Sequence, residues 1–334
     1  MRKALIMWII LITTGVFVFV STGSIAGAKE HKTVALKIWT AWPVKNAPGY
    51  PGNKKFMDLV NKYGKAVNLS AKLIGGPEVF GSFEGVEGQL AGTFDIAVSV
   101  PSYYVGVVPE SYALMLCQHK PWESRKSGLF DLLDQFHQRK GLKYLSWYLA
   151  AGNFQAYTKF DTPRPDLKGK VMRTAPIYDP LVRALGGTPT TIAPAEIYDS
   201  LARGVADGFF WINRGIMDYR WHEPVKYYWG QALPYVSDGT ITMNLNSYNK
   251  LDKDQQAVLM KAGEQVEIEM DAIGEKEIED QYRKLVTSGL LKHIKFSDAD
   301  QKYYRKTALD TAWNYVISKA PDSAKLKPLM EKKD

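Results

Sequence analysis

A single cysteine, Cys117, stands in 334 residues. One thiol cannot close a disulfide within the chain and cannot build a cysteine-rich zinc site. No H-E-x-x-H, G-x-x-x-x-G-K-[ST] or G-x-S-x-G run occurs, and no G-x-G-x-x-G lies between a strand and a helix. The zinc-protease, P-loop, dinucleotide-fold and α/β-hydrolase signatures are therefore missing. The five histidines are scattered. His222-Glu223 is an adjacent acid–base pair, read as a surface or packing feature. Basic clusters stay short, such as Lys54-Lys55 and Glu331-Lys332-Lys333. Nothing forms a nucleic-acid-binding stripe, and nucleic acid is not expected as a partner. Beyond residue 28 no run is long and apolar enough to span a bilayer.

What is present describes an exported globular protein. Hydrophobic residues make up 46% and charged residues 23%, which excludes disordered, collagen-like and multi-pass membrane chains. The length suits about two domains. Lys and Arg number 43 against 35 Asp and Glu, a net charge of +8; the excess is dispersed. Arg2 and Lys3 precede an apolar run, Ala4 to Val20, and small residues end in Ala26-Gly27-Ala28. This is the pattern of a cleavable secretory signal over residues 1–28. The rival is an uncleaved anchor. No cysteine follows the run, so a lipid anchor is not expected. The expected location is periplasmic, without stable membrane insertion after cleavage.

Strand and helix patterns alternate along the remaining chain. Val34–Trp39, Leu69–Ile74, Ile96–Val100, Leu142–Leu149, Gln155–Lys159 and Val171–Arg173 read as strands. Helical spacing covers Lys54–Lys65, Val86–Leu90, Lys126–Lys140, Asp179–Leu185 and Pro194–Arg203. The alternation predicts an α/β architecture. Two segments share one plan: Gln89-Leu90-Ala91-Gly92-Thr93-Phe94-Asp95-Ile96 and Leu201-Ala202-Arg203-Gly204-Val205-Ala206-Asp207-Gly208. Each runs from a short helix through a small-residue turn to Asp and an apolar strand, as two similarly built lobes would. Asp252–Val286 is the longest helical pattern. It is expected to run as a spine along both lobes, with a break allowed near Gly274. A further helix, Asp298–Ser318, follows a Ser297 cap. Cys117 follows Leu114-Met115-Leu116 and is placed in the core.

Aromatic residues are numerous, with 9 Trp, 19 Tyr and 13 Phe. Trp39, Trp42, Tyr103, Tyr104, Phe154 and Trp211 fall at strand ends, where ligands of open α/β sheets bind. Aromatic walls with a few placed polar groups describe a small-molecule cleft.

Two blocks resemble the solute-binding proteins of TRAP transporters, the tripartite ATP-independent periplasmic systems. The first is Gly75-Gly76-Pro77-Glu78, then Gly92-Thr93-Phe94-Asp95, Ser102-Tyr103-Tyr104 and Pro109. The second runs from Asp166-Leu167-Lys168-Gly169 through Arg173, Leu185-Gly186-Gly187-Thr188-Pro189 and Glu196-Ile197-Tyr198 to Leu201 and Asp207-Gly208. The resemblance spans nearly the whole mature chain. It implies a two-lobed periplasmic binding protein fold, type II-like, with a long helix spanning both lobes. Residues 31–151 plus 238–282 would form lobe 1, and 152–237 plus 283–334 lobe 2. It implies a receptor that closes over a small organic acid and delivers it to TRAP permease subunits in the membrane.

Arg173 matches the family's carboxylate-gripping arginine, and a guanidinium fork suits both oxygens of a carboxylate. Many members have a second arginine where this chain has Gln155, and an asparagine where it has Trp211. Gln155 with Trp211 is more similar to the branch that binds 2-oxo or 2-hydroxy acids, sometimes through a bridging metal ion. In that branch an acidic residue often precedes the Trp; here it is Phe210, so no cofactor and no obligatory metal are expected. One arginine suggests one essential carboxylate. Phe80, Phe209 and Phe210 add apolar bulk. The expected ligand is a hydrophobic or aromatic monocarboxylate, with a small 2-oxo or 2-hydroxy acid as the alternative. Expected ligand-binding residues are Arg173, Gln155, Trp211, Glu78, Tyr103, Tyr104, Phe80, Trp39, Phe210, Asn213 and Asn244. No catalytic residue is assigned. An exported organic-acid enzyme and a ligand-sensing adaptor are the competing classes.

Overall fold

The computed structural model describes residues 30–42 and 50–332. The expected signal segment, residues 1–28, lies outside the described residues. The strands in chain order are β1 (Val34–Thr40), β2 (Leu69–Gly75), β3 (Ile96–Ser99), β4 (Leu142–Leu149), β5 (Phe154–Thr158), β6 (Val171–Thr174), β7 (Thr188–Thr191), β8 (Gly208–Ile212), β9 (Tyr227–Trp229), β10 (Gly239–Asn244) and β11 (Lys292–Ile294). The α-helices are α1 (Tyr50–Gly64), α2 (Gly85–Leu90), α3 (Pro121–Ser127), α4 (Leu129–Gln138), α5 (Asp179–Ala184), α6 (Ile197–Ala202), α7 (Leu245–Asn249), α8 (Lys253–Tyr282), α9 (Asp298–Lys319) and α10 (Lys327–Met330).

Two sheets follow one plan. The first has the order β2-β1-β3-β10-β4, and the second β7-β6-β8-β5-β9-β11. In each, three neighbouring strands are parallel, and a fourth lies antiparallel beside them. That fourth strand is β10 in the first sheet and β5 in the second, so each sheet contains a strand reached by crossing from the other. The crossing segments touch: Asn153 bridges Val236, and the Trp147 indole N–H donates to the Ser237 carbonyl at 2.9 Å. Strands β3, β5, β8 and β10 are buried along their whole length. Continuous apolar or β-branched runs such as Ile96-Ala97-Val98 suit strands covered on both faces.

The long helix is continuous. Asp252 caps α8 by accepting from the Asp254 and Gln255 amides, and the Gln255 side chain accepts from the Asp252 amide, a reciprocal capping box. Its first half packs on β4. At Gly263 a Cβ would stand 2.4 Å from the Leu145 carbonyl oxygen, so only glycine lets helix and strand meet this closely. Arg125 of α3 bonds Glu267 through Nε and Nη2, both at 2.7 Å, and Glu267 is fully buried. Further along, Gly274 faces Ala151, Glu277 pairs with the buried Arg214, and Gln281 accepts from the Ile216 amide at 3.0 Å. The helix thus runs along both sheets. It does not break at Gly274, and ends in a π-helical turn, Arg283–Thr287.

Other boundaries moved. The single helix expected over Lys126–Lys140 is two, because Gly128 adopts φ 85° between α3 and α4. The Pro194–Arg203 segment opens as a 3-10 turn, Pro194–Glu196, before α6. Among the described residues no helix is long and apolar enough to cross a membrane.

Candidate functional site between the two sheets

The carboxyl ends of four strands converge on a narrow cavity of about 40 Å³, on a scale where one water needs roughly 10–15 Å³. From the first sheet come Trp42, just past β1, and Val100, Ser102 and Tyr103, past β3. From the second come Arg173 of β6, Ala175 and Tyr178 beyond it, and Trp211 and Ile212 of β8. Leu149 at the end of β4, Phe154 at the start of β5, and Ser237 and Asp238 of the crossing segment before β10 add to the wall, and Tyr219 completes it. Proline opens both 3-10 turns, Pro101–Tyr103 and Pro176–Tyr178, and each turn delivers a tyrosine. Its fixed φ and missing N–H suit the first turn position.

Arg173 is 1% exposed. Its Nε donates to the Ile192 carbonyl at 2.8 Å, and its guanidinium lies 5.4 Å from the Trp211 ring centre. Its Nη2 has no hydrogen-bond partner among the described residues. Burial pulls its pKa below the ordinary arginine value, and the Tyr103 and Tyr178 phenols oppose that pull. A buried cation with an unused donor is costly unless an anion meets it. Tyr103 meets the same guanidinium; burial pushes its phenol up to about 12, so it stays a neutral hydrogen-bond donor. Around these lies an aromatic frame. Trp42 stands edge-on to Trp211 at 6.3 Å and tilted against Tyr103 at 5.7 Å, and its indole N–H donates to the Tyr148 hydroxyl at 3.1 Å. The Trp211 indole N–H donates to the Arg214 carbonyl at 3.1 Å.

The sequence-selected residues divide. Tyr103, Arg173 and Trp211 line this cavity. Gln155 pairs with Trp211 across β5 and β8; it is buried, and its Oε1 has no partner among the described residues. Gln155 does not line the cavity, and the remaining residues also lie elsewhere. Tyr104 is buried, its hydroxyl on His137 at 3.2 Å and Thr240 at 3.0 Å. Trp39 is fully buried, donates to the Gly76 carbonyl at 2.9 Å and stacks on Phe94. Phe80 packs edge-on to Phe94, and Glu78 sits on an exposed turn, accepting from the Gly76 amide at 2.8 Å. Phe209 stacks on Tyr157, and Phe210 packs against Tyr178. Asn213 accepts from the Tyr157 hydroxyl and donates to the Tyr228 hydroxyl, while Asn244 caps α7. Cys117 is buried, its thiol pushed up to about 12 by burial. His222's neighbour Glu223 is engaged by Arg220 and Tyr198.

Residues unassigned as ligand contacts by sequence reasoning include Asp238, Tyr178, Tyr219 and Ser102. Tyr178 and Ser102 had a usable signal, since both stand in proline-started turns just after apolar strands. Asp238 follows no pattern readable in one sequence.

Two similar sheets, exchanged strands, and a cavity between the strand ends with an arginine in it define a two-lobed ligand receptor. The chain belongs to the bacterial extracellular solute-binding proteins of family 7, the DctP family of TRAP periplasmic receptors, whose model matches residues 42–319. It is 25% identical over 257 residues to a solute-binding protein of Albidiferax ferrireducens, covering 72% of this chain and 73% of the relative. Its fold is that of an extracytoplasmic solute receptor of Bordetella pertussis binding pyroglutamic acid, with TM-score 0.78, 17% identity and coverage of 90% and 100%. It is also that of a Sulfitobacter TRAP protein with bound β-D-galacturonate, with TM-score 0.73, 19% identity and coverage of 89% and 99%.

Proposed function

We propose that this protein is the extracytoplasmic receptor of a TRAP transporter for a compact monocarboxylate with a hydrophobic or aromatic body, which it hands to the membrane permease. The carrying observation is Arg173, buried and with a free Nη2 inside an otherwise mostly apolar cavity. One guanidinium accounts for one carboxylate; the aromatic walls suit an apolar remainder. Structural neighbours bind pyroglutamic acid, uronates and malonate, so the carboxylate is the shared element and the remainder varies. The ligand would touch Tyr103 from the first sheet and Arg173 from the second, and so favour closure of the two lobes by its differential affinity. No metal ion is required in this reading: Phe210 is packed against Tyr178 where a related branch places an acidic residue. Organic-acid chemistry is not proposed, since the wall offers a carboxyl, Asp238, and an arginine but no histidine, lysine or cysteine.

The test is a thermal-shift and calorimetric screen of the exported protein against small organic acids, in metal-free buffer, with Arg173→Ala beside it. A ligand that binds the folded state alone raises the melting temperature by mass action. A shift with monocarboxylates that Arg173→Ala abolishes supports the reading. Shifts that survive the substitution, or that only sugars or cations produce, would sink it.

A further inference from the structure

The cavity carries a second unused polar group of opposite character. Asp238 stands on the crossing segment one residue before β10, lines the cavity and is 3% exposed. Its Oδ2 has no hydrogen-bond partner among the described residues. A buried carboxyl oxygen left without a donor is costly, and such groups are normally satisfied. Tyr103 and Tyr178 feel the charges of both Arg173 and Asp238. The cavity therefore offers an unused donor on Arg173 and an unused acceptor on Asp238, with phenols in reach of both.

We propose that Asp238 determines specificity in this receptor, accepting a hydrogen bond from a hydroxyl or N–H donor on the ligand whose carboxylate Arg173 holds. The proposal rests on the carboxylate-receptor reading above and narrows it. The ligand class becomes hydroxy acids, or acids with an amide or amine N–H, and simple apolar acids and 2-oxo acids bind more weakly. Above about pH 7 a second ligand carboxylate is disfavoured, since it would meet the ionised Asp238 with like charge.

The protonation of Asp238 agrees with this geometry. Burial pushes its carboxyl up to about 7. The titratable groups in electrical contact with it are Tyr103, Tyr104, Tyr112, Tyr148 and Tyr178, all raised by burial and so neutral near pH 7. Arg173 stays charged throughout. Asp238 is the member of this group whose charge changes near neutrality, so preference for a donor-bearing acid is strongest above about pH 7 and fades below it.

The experiment is calorimetry at about pH 8 with matched acids on one skeleton. Phenyllactate, phenylpropanoate and phenylpyruvate form one set; lactate, propanoate and pyruvate form another. Pyroglutamate and ring- or chain-hydroxylated variants place the donor elsewhere. A hydrogen bond to a charged acceptor predicts that the best hydroxyl- or N–H-bearing acid binds roughly 10–100-fold tighter than its donor-free partner. Asp238→Ala should bring that ratio to within about threefold. Asp238→Asn keeps the shape and supplies an NH2 donor, so it should shift preference toward the 2-oxo acid. Equal affinity for donor-bearing and donor-free acids, or a ratio unchanged in Asp238→Ala while Arg173→Ala still abolishes binding, overturns the role of Asp238 alone. Binding that requires sodium or a divalent ion overturns it in favour of a bridging cation. Failure of every acid to bind overturns the receptor reading, and this inference with it.

Discussion

Trp39 and Arg173 occupy the same place in the two sheets. In the first, Asp95 reaches back to β1: its carboxylate accepts from the Lys37 amide at 2.8 Å, and its own amide donates to the Lys37 carbonyl at 3.0 Å. In the second, Asp207 does the same to Val171, at 2.8 and 2.7 Å. Two residues on from Lys37 is Trp39; two residues on from Val171 is Arg173. Each donates its side-chain Nε hydrogen to the carbonyl of the residue just past the outer strand, Trp39 to Gly76 and Arg173 to Ile192. An indole has one donor and is then satisfied, so Trp39 becomes core. A guanidinium has donors to spare, so the same scaffold bond leaves Arg173 with a hydrogen for a ligand. On the function proposed above, the difference teaches that binding chemistry is a choice of side chain at one point of a repeated frame. Val100 and Ile212, likewise matched by position, both line the cavity and carry no such asymmetry.

The first way to break this comparison is mechanical. Arg125 of α3 forks onto Glu267 of α8, and both reach the first sheet, Arg125 donating to the Leu145 carbonyl at 3.0 Å and Glu267, fully buried, accepting from the Trp147 amide at 3.2 Å. Burial raises the Glu267 pKa, and Arg125 holds it down. Arg125→Ala strands that carboxylate, and urea unfolding should show a loss of about 3–5 kcal/mol. The second sheet's tie, Arg214–Glu277, has a half-exposed carboxylate. Arg214→Met keeps the bulk and leaves that carboxylate within reach of water, so it should cost less; a cost as large would show that the two ties are equivalent.

The second tests the chemical difference directly. Arg173→Ala should weaken binding of the best carboxylate roughly 100–1000-fold by calorimetry, as expected when a buried charge pair loses one partner. Arg173→Lys should recover little of that, because a point charge replaces a fork. Trp39→Phe, at the matched position, should leave affinity within about threefold, since the bond to Gly76 and the ring atoms it removes lie in the core and not on the cavity wall. A binding loss from Trp39→Phe comparable to that from Arg173→Ala, with the fold intact by circular dichroism, would erase the distinction.

The third sets two buried titratable groups against each other. His137 is buried, with Nδ1 on the Leu133 carbonyl at 2.7 Å and Nε2 on the Tyr104 hydroxyl. Burial lowers its pKa from 6.5 to about 4. The unfolded chain then binds a proton that the folded one refuses, so His137's contribution is full above about pH 6.5 and lost as pH falls toward 4. Asp238 has the opposite sign. Its folded pKa is raised from 3.8 to about 7, so its contribution is full below about 3.8 and lost as pH rises through 7. Urea titrations across pH should show a total swing of about 3 kcal/mol for His137 and about 4 kcal/mol for Asp238. His137→Gln should flatten the acid limb and Asp238→Asn the neutral one. Unchanged limbs in both variants would refute these assignments.

Much of the frame was legible in the sequence because period and punctuation carry it. Val34-Ala35-Leu36-Lys37-Ile38-Trp39 shows its strand in its residues, and Gly186 closes α5 at φ 83° as a helix C-cap should. The strands that escaped were β7, β9, β10 and β11. Thr188–Thr191 is short, partly exposed and contains proline, and Tyr227–Trp229 is three residues long. Gly239–Asn244 draws its strand character from neighbours on both sides, β3 and β4. The site was harder. Arg173, Tyr103 and Trp211 stand in the cavity, but Trp39, Tyr104 and Phe210 are aromatics of the same local pattern whose rings turn into the core. Which way a ring faces depends on strand pleat and on partners distant in sequence, such as His137 and Thr240 for Tyr104. Asp238 depends on where two crossing segments meet.

The smallest expected effect sharpens the comparison most. Gly92 and Gly204 turn the chain with φ 78° and 77°, each followed two residues later by a buried residue, Phe94 or Ala206, and then by the clamping aspartate. The clamps differ in one contact. Asp95 also accepts from the Ser247 hydroxyl at 2.8 Å, which ties the turn to α7, whereas the Asp207 carboxylate is bonded by the Val171 amide. Each substitution leaves a β-strand amide without its side-chain acceptor, a loss of about 0.5–1.5 kcal/mol. Asp95→Ala forfeits a second bond, so it should cost about 1–2 kcal/mol and Asp207→Ala about half that. Adding Ser247→Ala should change little once Asp95 is gone, and should lower stability in the Asp207→Ala background, since only the intact Asp95 carboxylate couples to it. Equal losses from the two aspartates, or additive behaviour of Ser247 with Asp95, would mean that the turns are held by their glycines and apolar residues and that the carboxylates merely decorate a frame already fixed.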